Sequence, residues 1–202
     1  GFGTNFFDMD SDGDQDIFVA NGHIMDHPRF LSDATSYAQR NQLYENQGGH
    51  FSDISARGGA HFRDQKVSRG TAFGDWDNDG DVDLLVMNNN EAPNLLRNES
   101  PRRNHWILLR LVGGESNRDG IGALVRLEAG SSTQVDELRS GTSYLSNNDL
   151  RLHFGLGRSP RIDRLEVRWP SGVTQVFQDL PADRLVLIRE SADPEPLELS
   201  LE

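Results

Sequence analysis

Short apolar runs bounded by Gly, Asp and Asn recur along the first hundred residues. Asn5-Phe6-Phe7 and Thr71-Ala72-Phe73 precede two acidic stretches, and Ile17-Phe18-Val19-Ala20 and Leu84-Leu85-Val86-Met87 follow them. Runs this short and this rich in β-formers predict strands, since an amphipathic helix needs a longer periodic segment. The first unit therefore reads as strand, acidic loop, strand, turn, strand (42–46), turn, strand (50–54). In the second half, residues 106–112, 121–128, 134–139, 150–154, 162–169, 173–178 and 184–189 alternate or run apolar between Gly, Pro, Asn and Ser turns. Leu165, Val167 and Trp169 share one face there, with Arg164, Glu166 and Arg168 on the other. Seven such strands predict a β-sandwich.

The first half repeats itself. An offset of 67 residues lays Gly3-Thr4 on Gly70-Thr71, Phe6 on Phe73, and the whole stretch Asp8–Asp16 on Asp75–Asp83. Leu43-Tyr44-Glu45-Asn46 matches Leu95-Leu96-Arg97-Asn98 at an offset of 52, which places a 15-residue insertion in the first copy, within Gly22 to Arg40. A repeat of this length built from short strands predicts propeller blades or a related array. Two such units do not close a ring, so further blades before Gly1, or a partner chain, are expected to cover the open faces.

Charge sharpens this picture. The chain has 32 acidic and 20 basic residues, and ten of the 17 acids in residues 1–103 fall within Asp8–Asp16 and Asp75–Asp83. Both stretches read D-x-D-x-D-G-D-x-D. Carboxylates at the first, third and fifth positions of a tight loop converge on one point, and Gly at the sixth allows the positive φ of the turn. An oxygen shell of this kind suits a hard cation, Ca²⁺ before Mg²⁺. The expected side-chain ligands are Asp8, Asp10, Asp12 and Asp16, and Asp75, Asp77, Asp79 and Asp83. Asp14 and Asp81 are expected to offer backbone carbonyls and turn their carboxylates outward. Position twelve is Val19 or Val86 where an EF-hand has Glu, so the loops are not EF-hands.

The net charge of -12 repels phosphate backbones and anionic membranes, which argues against nucleic acid as a partner. No apolar run is long enough to span a bilayer as a helix. With no Cys there are no disulfides and no thiolate chemistry.

These residues carry a resemblance. Gly3-Thr4 through Asp16-Ile17-Phe18-Val19-Ala20-Asn21-Gly22, with its second copy, resembles the FG-GAP (VCBS) repeat of integrin-type β-propellers. The second half resembles the ASPIC/UnbV domain found beside such repeats in cartilage acidic protein and in secreted bacterial proteins. Its marks are Asn104-His105-Trp106, Ser116 to Ala123, Ser140-Gly141-Thr142-Ser143-Tyr144-Leu145-Ser146, His153-Phe154-Gly155-Leu156-Gly157 and Val167 to Gly172. The expected architecture is all-β: a partial β-propeller over residues 1–103, a β-sandwich-like ASPIC/UnbV domain over 104–190, and an unstructured acidic tail over 191–202. The resemblance implies two Ca²⁺ sites in the blade loops and an extracellular or periplasmic, secreted setting.

Signatures of catalysis are missing. Gly120-x-Gly122 has Val125 where a dinucleotide loop has its third Gly, and no G-x-S-x-G occurs. His23 and His27 lack a supporting helix, with Pro28 following at once. Arg118 and Asp119 are expected to pair within their turn, and Asn98-Glu99-Ser100 is a glycosylation sequon. The insertion, with Phe30, Tyr37, His23, His27, Arg29 and Arg40, reads as a recognition loop or as an edge cap. The leading expectation is a non-catalytic binding or adhesion module with a protein or glycan ligand. The alternatives are an isomerase- or cyclase-like enzyme with its pocket in the full propeller, and a surface or filament subunit.

Overall fold

The alternating runs form strands in a computed structural model that describes residues 1–26, 35–101 and 103–191, with the backbone of Glu195 and Pro196. His27, Arg29 and Phe30 of the insertion lie outside the described residues. The first repeat folds as a four-stranded antiparallel sheet of β1 (Thr4–Phe7), β2 (Asp16–Val19), β3 (Gln42–Gln47) and β4 (His50–Asp53) in that order. Two short 3₁₀ turns, Ser55–Arg57 and Ala60–Arg63, lead into the second repeat: β5 (Ser68–Gly74), β6 (Asp83–Asn88) and β7 (Glu91–Leu96).

The two blades pack face to face. Phe7, Phe18, Ala20 and Leu43 of the first meet Val82, Leu84 and Val86 of the second, with Phe62 of the linker between them. Ring contacts of Phe18 with Phe62 at 6.0 Å and Phe7 with Phe73 at 6.1 Å complete this core. The repeat then exposes an asymmetry. Phe18 and Ala20 are fully buried, whereas their counterparts Leu85 and Met87 are 41% and 48% exposed. Leu43 is 5% exposed and its counterpart Leu95 is 49% exposed. The positions that bury the first blade against the second are thus left open on the second.

The second half contributes β8 (His105–Val112), β9 (Leu124–Ala129), β10 (Ser132–Glu137), β11 (Leu152–Gly157), β12 (Arg161–Arg168), β13 (Thr174–Pro181) and β14 (Arg184–Arg189), as the seven apolar runs predict. One sheet runs β10-β9-β12-β13; the other runs β11-β8-β14, with β14 parallel to β8. Between them lies a core of Ile107, Leu109, Leu127, Leu165, Val167 and Trp169, among others. Strand β9 begins later than expected because Gly120 and Gly122 hold positive φ and make a turn of Gly120–Ala123. The tail departs from expectation too: β15 (Glu195–Pro196) pairs with Val186 and Leu187 of β14, giving backbone groups of an edge strand a partner.

Two details of the second half differ from the local reading. Asp119 pairs with Arg110 of β8 at 2.8 Å rather than with Arg118, because Arg110 projects from the neighbouring strand while Arg118 supplies its carbonyl to Gly113. The motif residues Ser116 and Ser171 converge on Glu190, a buried acid at the end of β14. Glu190 accepts hydrogen bonds from Gly114 N, Ser116 N, Ser116 Oγ and Ser171 Oγ. Burial opposes its charge, but the donors from Ser171, Ser116 and Gly114 outweigh that and hold it down at about 2.

Candidate metal centre

Each acidic stretch is the connection inside a hairpin, Asp8 to Gln15 between β1 and β2, and Asp75 to Val82 between β5 and β6. The repeat holds at the level of single hydrogen bonds. Asp8 accepts from Asp12 N (3.1 Å) and Gly13 N (2.9 Å); Asp75 accepts from Asp79 N (3.0 Å) and Gly80 N (2.9 Å). Asp16 takes Met9 N and Asn46 N, as Asp83 takes Trp76 N and Asn98 N. The backbone follows suit, with φ of 58° at both Ser11 and Asn78, 96° at Gly13 and 95° at Gly80. Gly at the sixth position is thus required, since a side chain disfavours that φ.

This winding brings one carboxylate oxygen from each of Asp8, Asp10 and Asp16 within 4.8 Å of the others, and likewise from Asp75, Asp77 and Asp79. The remaining acids sit differently. Asp12, outside the first trio, accepts the backbone N–H of Asp14, and Asp79, inside the second, accepts that of Asp81 in the same way. Asp83 holds the loop closed through its two backbone donors, outside the close trio. Asp14 turns its carboxylate onto Gly48 N in the β3–β4 turn instead of outward, because that turn folds back beside the loop.

The donor set fits a hard divalent cation. All the candidate ligand atoms are carboxylate oxygens, and one of Asp77 inside the second trio is buried without a hydrogen-bond partner. Burial pushes Asp8 up to about 8, reinforced by the charges of Asp12, Asp10 and Asp16, and pushes Asp16 up to about 6. Asp10, Asp75 and Asp83 are raised for the same first reason. Carboxylates held this far above their usual range describe a site where the ionised form lacks compensation, which a cation supplies.

The loops are not equivalent. Arg97 reaches Asp77 at 2.8 Å and Asp79 at 3.8 Å, so the second loop already has a partial counter-ion. The repeat places Glu45 at the corresponding position of the first blade, where it adds negative charge near Asp10. Neither residue stood out from the acidic pattern, although the 52-residue offset aligns them. The same offset aligns Asn46 with Asn98, whose backbone N–H groups close the two loops. Asn98 also donates its side-chain amide to Met9 O at 2.7 Å, which engages the amide that a sequon glycan would use.

Hairpin geometry puts residues 8–15 at one end of β2 and the described start of the insertion, 22–26, beyond its other end. The described ends of the insertion fasten onto the second blade, through Arg69 to His23 O and Asn89 to Tyr37 Oη. His23 Nδ1 takes Met25 N, a local turn contact. What lies against both loops is the second half of the chain, through Asn104, Trp106 and strand β11. Trp106 packs on Gly80 and stacks with His153, their ring centroids 6.5 Å apart. Burial pushes His153 down to about 4, so its ring is neutral, with Nε2 3.0 Å from Gly80 O.

A cavity of about 200 Å³ opens between the β1 edge and the second half, lined by Phe6, Phe73, Asp136, Arg139, Arg151 and His153 among others. A His–carboxylate pair, His105 with Asp183 at 2.7 Å, stands outside it on half-exposed surface. Among the described residues no helix is long and apolar enough to cross a membrane.

Comparison with known families agrees with this geometry. Residues 8–86, which contain both loops, match the FG-GAP-like repeat, and residues 113–195 match the ASPIC and UnbV domain. No curated protein matches the chain. The protein thus carries an FG-GAP-like repeat region followed by an ASPIC/UnbV domain, an all-β chain of two propeller blades joined to a β-sandwich and of the type found in extracellular protein-binding modules.

Proposed function

We propose that the protein is a calcium-binding, secreted binding or adhesion module, extracellular or periplasmic, that performs no catalysis. The observation that carries this reading is the repetition of the hydrogen bonds at Asp8 and Asp75 and at Asp16 and Asp83 in two loops that each crowd three carboxylates together. Ca²⁺ is held there by Asp8, Asp10 and Asp16 and by Asp75, Asp77 and Asp79, with the remaining acids of each loop shaping it. Bound calcium supplies positive charge and stiffness, not a reaction step; the chain's own residues orient the ligands.

The division at residue 103/104 and the ligand, a protein or a glycan, belong to the same proposal. Further FG-GAP-type blades preceding Gly1 cover the Leu85, Met87 and Leu95 face. The support is internal: the matching positions Phe18, Ala20 and Leu43 are buried by the neighbouring blade.

The test is capture of the partner from its native milieu with and without chelator. Asp77→Ala is expected to reduce capture by at least tenfold at limiting calcium, and chelation of the wild type should do the same. Capture that ignores calcium, or turnover of a metabolite by the purified protein, would overturn the reading.

A further inference from the structure

We infer that the β8–β11 face of the ASPIC/UnbV domain is a receptor for D-x-D-x-D-G loops, docking both at once, so that cation binding and domain docking are one coupled event. The inference rests on the calcium reading above and extends it to residues outside the acidic loops.

Most of the contacts fall on the loop backbones. At the first loop, Asn104 Nδ2 donates to Asp10 O at 2.9 Å and Gly157 N donates to Ser11 O at 3.0 Å. Gly155 lies so close that a Cβ there would stand 2.1 Å from Asp8 Oδ2 and 2.4 Å from the Ser11 carbonyl carbon. At the second loop, Arg151 donates to Asp75 O at 2.6 Å and to Asn78 Oδ1 at 2.5 Å, while His153 meets Gly80 O. A Cβ on Gly80 would stand 2.0 Å from the Trp106 ring, so the loop lies flat on the indole.

These groups leave the ligand carboxylates of Asp10 and Asp77 untouched and fix the carbonyls of the turn. Ser11 and Asn78 sit in the left-handed region, a conformation a free loop populates sparsely. Docking holds the turn in the conformation that converges the carboxylates, which removes an ordering cost from cation binding. By reciprocity, the bound cation must strengthen docking by the same factor. The partner that fits this face is therefore a loop of this chemistry and curvature, here supplied in cis by two successive blades.

The experiment uses the full chain, stripped with chelator and titrated with CaCl₂ by calorimetry, alongside amide exchange of residues 152–157. Gly155 does not hold a left-handed φ, so Gly155→Ala strains the joint and not its own strand. It is expected to weaken one calcium site at least tenfold although it contributes no ligand. Asn104→Ala, which only removes the donor to Asp10 O, should weaken the same site several-fold and remain folded. Calcium should slow exchange of the β11 amides in the wild type about tenfold. Should both variants bind calcium like the wild type, or β11 exchange ignore calcium, the joint does not exist and the calcium reading stands alone. A wild type that binds no calcium overturns both.

Discussion

Calcium at about one hundred times its dissociation constants is expected to raise the melting temperature of the chelator-stripped protein by about 10–20 °C. Each site filled to that level adds about 2.7 kcal/mol, and a chain of this size gains about 2–4 °C per kcal/mol. The pH dependence gives the prediction a sign. Burial and neighbouring acids raise Asp8 to about 8 and Asp16 to about 6, from an ordinary value of 3.8. A carboxyl raised in the folded state contributes stability that is full below 3.8 and is lost as pH rises through its folded value. The stripped protein should therefore melt lower at pH 8 than at pH 5. Calcium binds the ionised loops, so its stabilisation must grow over the same interval. Differential scanning calorimetry at both pH values checks both slopes; a calcium effect that shrinks with rising pH contradicts them.

The second large effect lies far from the metal. Glu190→Ala removes the acceptor of four donors, from Gly114, Ser116 and Ser171, at a buried site. Losing these hydrogen bonds to a buried, charged acceptor costs about 3 kcal/mol, or about 10 °C of melting temperature at pH 7. Because the folded carboxyl is held down at about 2, its contribution is full above the ordinary 4.5 and is lost as pH falls from there towards 2. The gap between wild type and Glu190→Gln should accordingly close on acidification. A gap constant from pH 7 to pH 2.5 would mean that Glu190 acts through its shape and not its charge.

What was legible in the sequence was local. A D-x-D-x-D-G loop fixes its own turn and its own cluster within nine residues, so both clusters could be read without a partner. Strand positions were legible for the same reason, since burial on one face imposes the alternation seen at Leu165, Val167 and Trp169. The joint was not legible: Trp106 meets Gly80 and Gly155 meets Asp8 across 26 and 147 residues, and no periodicity records which surface a loop will face. Glycine without positive φ, as at Gly155, left no trace beyond its place in His153-Phe154-Gly155. Glu190 looked like one more acid near the tail, because its role depends on Ser116 and Ser171 arriving from distant turns. Arg97 and Glu45 were visible in the 52-residue offset, but their difference in sign matters only once both are known to overhang the loops.

Calorimetric titration of the chelator-stripped full chain with calcium, at neutral pH and constant ionic strength, tests the central claim most directly. The account predicts two ions bound per chain with unequal affinity, the tighter at the first loop, where Glu45 adds negative charge and no Arg97 competes. Arg97→Ala should then bring the weaker site closer to the stronger one. A titration showing no saturable heat, or uptake unchanged when Asp8 and Asp75 are both replaced by Asn, would contradict it.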